Sequence, residues 1–211
     1  MNITALKQQI RNPERVNIFI DGKYGFSLTI SQVLGEKLTV KLELDESRIS
    51  ELKSKSLDEK LRMRAMNWAL LRPRSVLELR QYLKRVTYSK KPEEKANAAG
   101  NIQAIVDEFL GRAWLDDAAF AKWWVGRSSR KNKSTSFLNS ELMSKGIDRQ
   151  TILSVIGVGQ DRENLKVLYS KIKDKAKYQD HAKLQRFLIS RGYSYSLVKE
   201  VVDAAGIDTG D

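Results

Sequence analysis

The sequence predicts a mainly α protein: three tandem three-helix repeats in an elongated array, preceded by a small N-terminal β-hairpin or sheet domain. Three observations predict it. Apolar residues of the first 44 positions alternate with period two. Those beyond about position 60 recur at i, i+4 and i+7, the spacing of one buried helix stripe. Finally, buried pairs recur at a fixed interval: Val106/Leu110, Ile152/Ile156 and Val198/Val202 are separated by 152−106 = 46 and 198−152 = 46 positions.

In the N-terminal part, Val16, Ile18 and Ile20 alternate, Asp21-Gly22 makes a turn, and Tyr24, Phe26, Leu28 and Ile30 alternate again. A further strand around Leu38 to Leu44 is expected to complete the sheet, since a lone hairpin is marginal in water. Asp45 caps a short helix through Ile49 and Leu52, and the Ser/Lys/Asp-rich stretch Lys53 to Asp58 reads as a linker. The expected organisation is a β-rich domain at 1–58, repeat 1 at 59–114, repeat 2 at 115–160, and repeat 3 with the tail at 161–211.

Leu61, Ala65, Trp68 and Ala69 mark the first repeat helix, which Pro73 breaks. Ser75 to Glu78 reads as a capping box, the serine accepting from the amide three residues on while Glu78 reaches back, and it opens a second helix that buries Leu79 and Leu83. Thr87 to Gly100 reads as a loop or a poorly packed helix. A third helix then carries Ile102, Ile105, Val106 and Leu110 and ends at Gly111. In repeat 2, Asp116 and Asp117 open a helix with Phe120, Ala121 and Trp124 on one face. A second helix starts near Thr135, buries Leu138 and Leu142, and stops at Gly146. Asp148 begins the next, through Ile152 and Ile156. Repeat 3 follows with Leu165, Leu168, Tyr169 and Ile172 among Lys166, Lys171, Lys173, Lys175 and Lys177. Leu184/Leu188 and Val198/Val202 complete it, with Gly192 and Ser194 between them. The second-helix pairs Leu79/Leu83, Leu138/Leu142 and Leu184/Leu188 lie 138−79 = 59 and 184−138 = 46 apart, so the excess, 59−46 = 13, places an insertion in repeat 1 at Thr87 to Gly100.

Composition narrows the function. The chain has no cysteine and one histidine, His181, which excludes disulfides, thiolate metal sites and multi-histidine sites within one chain. No signal-peptide core and no membrane-length apolar run is present, so a cytoplasmic protein is expected. Neither a phosphate-binding loop nor a dinucleotide fingerprint occurs, and Asp116 and Asp117 read as helix caps rather than an acid/base pair. No enzyme and no cofactor is expected.

The net charge of +12 is concentrated: residues 1–60 hold 10 Lys/Arg against 9 Asp/Glu, and residues 61–211 hold 28 against 17. The helical part therefore faces a polyanion. Arg72, Arg74, Arg80, Lys84 and Arg85 lie in one cluster, and Arg127, Arg130, Lys131 and Lys133 in another, at the elbow of repeat 2. Arg186 and Arg191 stand in repeat 3. These are the candidate binding residues. The elbows lack the Asn/Gln-rich positions of direct base reading, so contact with phosphate backbone or acidic protein is expected. Trp123 stands roughly 120° from the centre of its helix's buried stripe, as an inter-repeat contact or an exposed partner anchor.

Several segments resemble the RecX regulatory proteins, which modulate the RecA recombinase: LDDAAFAKWWVGRS, LNSELMSKGI, RSVLELRQYL, LISRGYSYSLVKEVV and the N-terminal RVNIFIDGKYGFSL. The resemblance covers nearly the whole chain. It implies a non-enzymatic monomer whose helical array is curved and lies along the groove of the RecA–DNA filament. There it would restrain ATP hydrolysis and strand exchange in recombination, repair and the SOS response, with DNA phosphates as a further partner. A stand-alone helical nucleic-acid-binding protein is the alternative. Lys131-Asn132-Lys133 stands where members of the family often have a glycine-containing elbow.

Overall fold

The structure, a computed structural model, describes residues 1–88, 92–127, 132–157 and 159–207, with side-chain detail for all but 92–100 and 205–207. Strands β1 (Ile3–Gln8), β2 (Arg15–Ile20) and β3 (Lys23–Thr29) form an antiparallel sheet in that order. The Asp21-Gly22 turn is as expected: both residues have positive φ, the hairpin geometry that Asp-Gly supplies at little cost. The third strand is not the Leu38 to Leu44 stretch but β1, which pairs along β2. Leu38 to Leu44 instead runs beside the start of β1. It makes one bridge, Asn2 to Glu43, while the Ile3 amide donates to the Leu42 carbonyl at 3.0 Å. Lys41 with positive φ keeps this stretch from lying flat as a strand.

Ile30 also departs from the strand reading. Thr29 forms a complete capping box with Gln32 and starts α1 (Ile30–Gly35). Nor is Lys53 to Asp58 a linker, because α2 runs unbroken over Glu46–Leu70. Two kinds of contact hold that polar stretch helical. Leu52 is buried in the sheet's core, and the buried Ser56 hydroxyl donates to the Ser27 carbonyl at 2.6 Å. Lys55 pairs with Glu51 one turn back and with Glu36 of the sheet domain, at 2.8 and 2.7 Å.

The chain divides into two compact units, Met1–Leu70 with Ser89–Ile105, and Leu71–Tyr88 with Val106–Asp211. The first holds the sheet, whose core is Ile3, Ile18, Phe26, Leu28, Leu44, Ile49 and Leu52. The second holds the helices that follow. They are α3 (Val76–Thr87), the end of α4 (Pro92–Gly111), α5 (Asp117–Gly126), α6 (Thr135–Ser144) and α7 (Arg149–Val155). After them come α8 (Asp161–Ile172), a 3-10 turn at Ala176–Tyr178, α9 (His181–Ser190) and α10 (Tyr195–Ile207). The helix assignments match the apolar stripes closely, with one difference, at Leu110. Helix α4 starts at Pro92, so of the loop and the helix expected as alternatives for Thr87 to Gly100, most of the segment is helix. Within α4, Leu110 is 44% exposed and Phe109 is the fully buried residue beside Val106. The ring of Trp114 packs edge-on against Phe109 at 5.2 Å, which favours the aromatic at that position.

Candidate partner-binding surface

Each repeat is joined to the next by the same small set of bonds. Ser75 caps α3 by accepting from the Glu78 amide, which leaves the amide of Val76, the first helical residue, without a partner in its own helix. Asp117, the first residue of α5 in the next repeat, accepts from it at 2.9 Å. The second junction is built alike. Ser134 caps α6 through the Phe137 amide, and Asp161 at the start of α8 accepts from the Thr135 amide at 2.7 Å and its hydroxyl at 2.9 Å. The acid pair thus splits its work: Asp116 caps its own helix through the Ala118 and Ala119 amides, and Asp117 caps the preceding repeat. Burial pushes the Asp117 carboxyl up, a shift the Val76 amide opposes and nearby Asp116 and Asp148 reinforce.

Glycine makes the close approach at both joints. Gly146 and Gly192 have φ of +79 and +94, and a Cβ at Gly146 would lie 2.7 Å from Leu77 Cβ. At Gly192 a Cβ would meet Phe137 Cβ at 2.6 Å and also press on the Ser134 hydroxyl.

The first joint takes in four of the predicted binding residues, Arg72, Arg74, Trp123 and Arg127, and the structure gives each of them contacts within the fold. Glu78 does not complete a capping box. Its side chain is only 10% exposed and receives Arg72 at 2.9 Å, Lys145 at 3.1 Å and, more distantly, Arg74 at 4.0 Å. Burial alone would raise its pKa; hydrogen bonds and charge from Arg72 and Lys145 outweigh that and hold the carboxyl below its usual range. Burial and the neighbouring Arg72 charge lower the Arg74 pKa, with Glu78 opposing.

Around this cluster stand two tryptophans. Trp123 is half-buried against Phe120 and Trp124, with the Arg72 and Arg127 guanidiniums 5.2 and 4.9 Å from its ring centre. Arg72 belongs to repeat 1, so of the two readings of Trp123 the structure shows the inter-repeat contact. Trp124 is buried, donates its indole N–H to Glu141 at 3.0 Å, and lies 5.0 Å from the Lys145 ammonium. Sequence alone does not single out Lys145, Glu141 or the clustering role of Glu78. A signal for Lys145 exists: Lys145-Gly146 and Arg191-Gly192 recur 191−145 = 46 positions apart.

The other candidates separate by exposure. Lys84 and Arg85 are exposed on α3, with Arg85 5.9 Å from the Tyr82 ring, and Arg80 is half-buried beside them. Arg127 is exposed at the end of α5, and Lys133 lies 3.9 Å from the Phe137 ring. Arg186 is exposed on α9 and bonds its own helix through the Ala182 carbonyl at 3.1 Å. Arg191 lies over Phe187 at 4.9 Å while its carbonyl accepts from the Ser134 amide at 3.1 Å. Arg130 and Lys131 fall outside the described residues. No group of acidic or histidine side chains among the described residues is arranged to hold a metal ion, and none of their helices is long and apolar enough to cross a membrane.

Comparison with known proteins places this architecture. A regulatory protein RecX of Clostridium botulinum (strain Alaska E43 / Type E3) is 30% identical over 212 residues, spanning 96% of this chain and 95% of that one. The chain belongs to the RecX family of regulatory proteins. The family's N-terminal domain model matches residues 1–45, and that of the third three-helix domain of RecX matches residues 165–202. A RecX protein of Listeria monocytogenes serotype 4a (strain HCC23) is also 30% identical, over 97% of this chain and 76% of that one. A solved structure described as the crystal structure of regulatory protein RecX superposes with a TM-score of 0.65 at 23% identity, covering 96% and 98% of the two chains. It shares the RecX fold of tandem helical repeats.

Proposed function

We propose that the protein binds the RecA–DNA filament as a monomer in the cytoplasm and restrains recombinase activity, without catalysing a reaction, in recombination and repair. RecX membership over nearly the full chain carries this reading. The geometry supports it through the recurring joint, which holds successive repeats in register while every repeat presents an exposed cation. These are Lys84 and Arg85 on the first, Arg127 on the second and Arg186 on the third. Modest contacts on linked, registered units gain effective concentration when their target also repeats. Exposed arginines and lysines would meet acidic filament surface or DNA phosphates.

Stoichiometric inhibition of RecA-driven strand exchange tests the proposal. Unchanged ATPase and strand exchange at saturating protein would refute it, and a steeply salt-dependent DNA affinity as the sole activity would favour a stand-alone nucleic-acid-binding protein. Reversing Arg127, Arg130 and Lys131 together to glutamate is expected to weaken filament binding with helical content intact. Arg72 and Arg74 are left alone in that variant because they hold the Glu78 cluster together.

A further inference from the structure

Repeat 3 contains a cleft of about 460 Å³ between α8 and α10, used by none of the joints described above. Arg162, Lys166, Tyr169 and Lys173 line one wall, at i, i+4, i+7 and i+11 of a helix and its first following residue. Such spacing puts them on one face, and at 1.5 Å per residue the three cations are strung over about 16 Å. Tyr169 is half-buried against the repeat's core, so its ring is held at the cleft wall between Lys166 and Lys173. The facing helix contributes Val201 and one carboxylate, Glu200, which pairs with Arg162. Lys166 lies 3.0 Å from Glu163 on its own helix, and Lys173 makes no ion pair among the described residues.

We infer that this cleft binds the phosphate backbone of a single nucleic-acid strand. A straight run of cations over that length meets several successive phosphates of one strand, whereas a cleft of this volume between two helices is too small to admit a duplex. The fixed aromatic ring among the cations suits a base, whose π-face every nucleotide presents beside its phosphate, whereas acidic side chains have no such face to offer it. Glu200 works against binding: it repels phosphate and occupies Arg162. The inference does not depend on the RecA reading, and its test contains no RecA.

The experiment is fluorescence anisotropy of a labelled oligothymidylate of about 15 nucleotides with the full-length protein over a range of salt concentrations. Lys166→Ala with Lys173→Ala is expected to lower affinity roughly tenfold at low salt. It should also flatten the log–log salt slope by about 1.4, at about 0.7 per lost contact on a single strand. Glu200→Gln is expected to raise affinity about threefold, a change that misfolding cannot produce. Equal affinity and slope in the lysine variant overturns the inference. So does a result in which polyglutamate, but not the oligonucleotide, responds to these substitutions, since the cleft would then serve acidic protein.

Discussion

Substituting Glu78 by glutamine strikes the first repeat joint at its centre. The carboxylate is surrounded by Arg72, Arg74 and Lys145, whose side chains are only 27%, 11% and 31% exposed. Glutamine keeps the size and an acceptor but removes the negative charge, leaving three cations facing one another. Breaking a buried ion pair from one side costs about 3–5 kcal/mol. Partial exposure of Arg72 and Lys145 screens part of that, which puts the expected loss at about 2–3 kcal/mol. In urea, with a slope of about 1–3 kcal/mol per molar, the unfolding midpoint should fall by about 1 M. Trp123 and Trp124 stand beside the cluster and report its opening by fluorescence. The pH dependence supplies a second signature. Because the folded carboxyl titrates below its unfolded value of 4.5, its stabilising contribution is complete above that value. It is lost as pH falls through the folded pKa. The glutamine variant should lack this acid-side decline, so the two proteins converge in stability at low pH. An unchanged midpoint at neutral pH, or a constant difference at all pH values, would refute the reasoning.

Two further expectations concern packing. Tyr193 is 2% exposed, and its hydroxyl has no hydrogen-bond partner among the described residues; burial and the nearby Asp161 charge push its pKa up to about 12. Tyr193→Phe removes an unsatisfied buried group and should raise stability by up to about 1 kcal/mol in thermal or urea unfolding, and a loss greater than that would show a missing partner. Among the positive-φ glycines, alanine at Gly159, which faces open space, should cost only the backbone penalty of about 1–2 kcal/mol. At Gly146 and Gly192 the new methyl also meets the neighbouring repeat, so both should lose more than Gly159→Ala, with equal losses at all three sites counting against the close packing.

Much of the helical half is legible because its signals are local. Caps at Ser75, Asp116 and Asp148, stops at Gly146 and Gly192, and the buried pairs Ile152/Ile156 and Val198/Val202 all involve residues within a turn or two of each other. Misreadings occur where a distant partner decides. Lys53 to Asp58 is linker-like in composition, and only the sheet that receives Leu52 and Ser56 makes it helix. Residues 38–44 carry strand-like apolar residues, yet the edge of β2 is already taken by β1. At Glu78 the capping-box spacing is genuine, but three cations brought together by folding compete for the carboxylate and win. The same limit applies to the candidate surface: sequence locates the cations, whereas only the fold separates Arg72 and Arg74, spent on the joint, from Lys84, Arg127 and Arg186, left facing solvent.

The two borrowed aspartates bear on how the chain is made. During synthesis the first turn of α3 emerges with its Val76 amide unclaimed until Asp117 follows, and that of α6 waits likewise for Asp161. Each repeat is therefore finished by its successor, so stability should accrue in steps as translation proceeds rather than repeat by independent repeat. The third repeat differs in how its middle helix begins: α9 is capped from within by Asp180, through the amides of its second and third residues, Ala182 and Lys183.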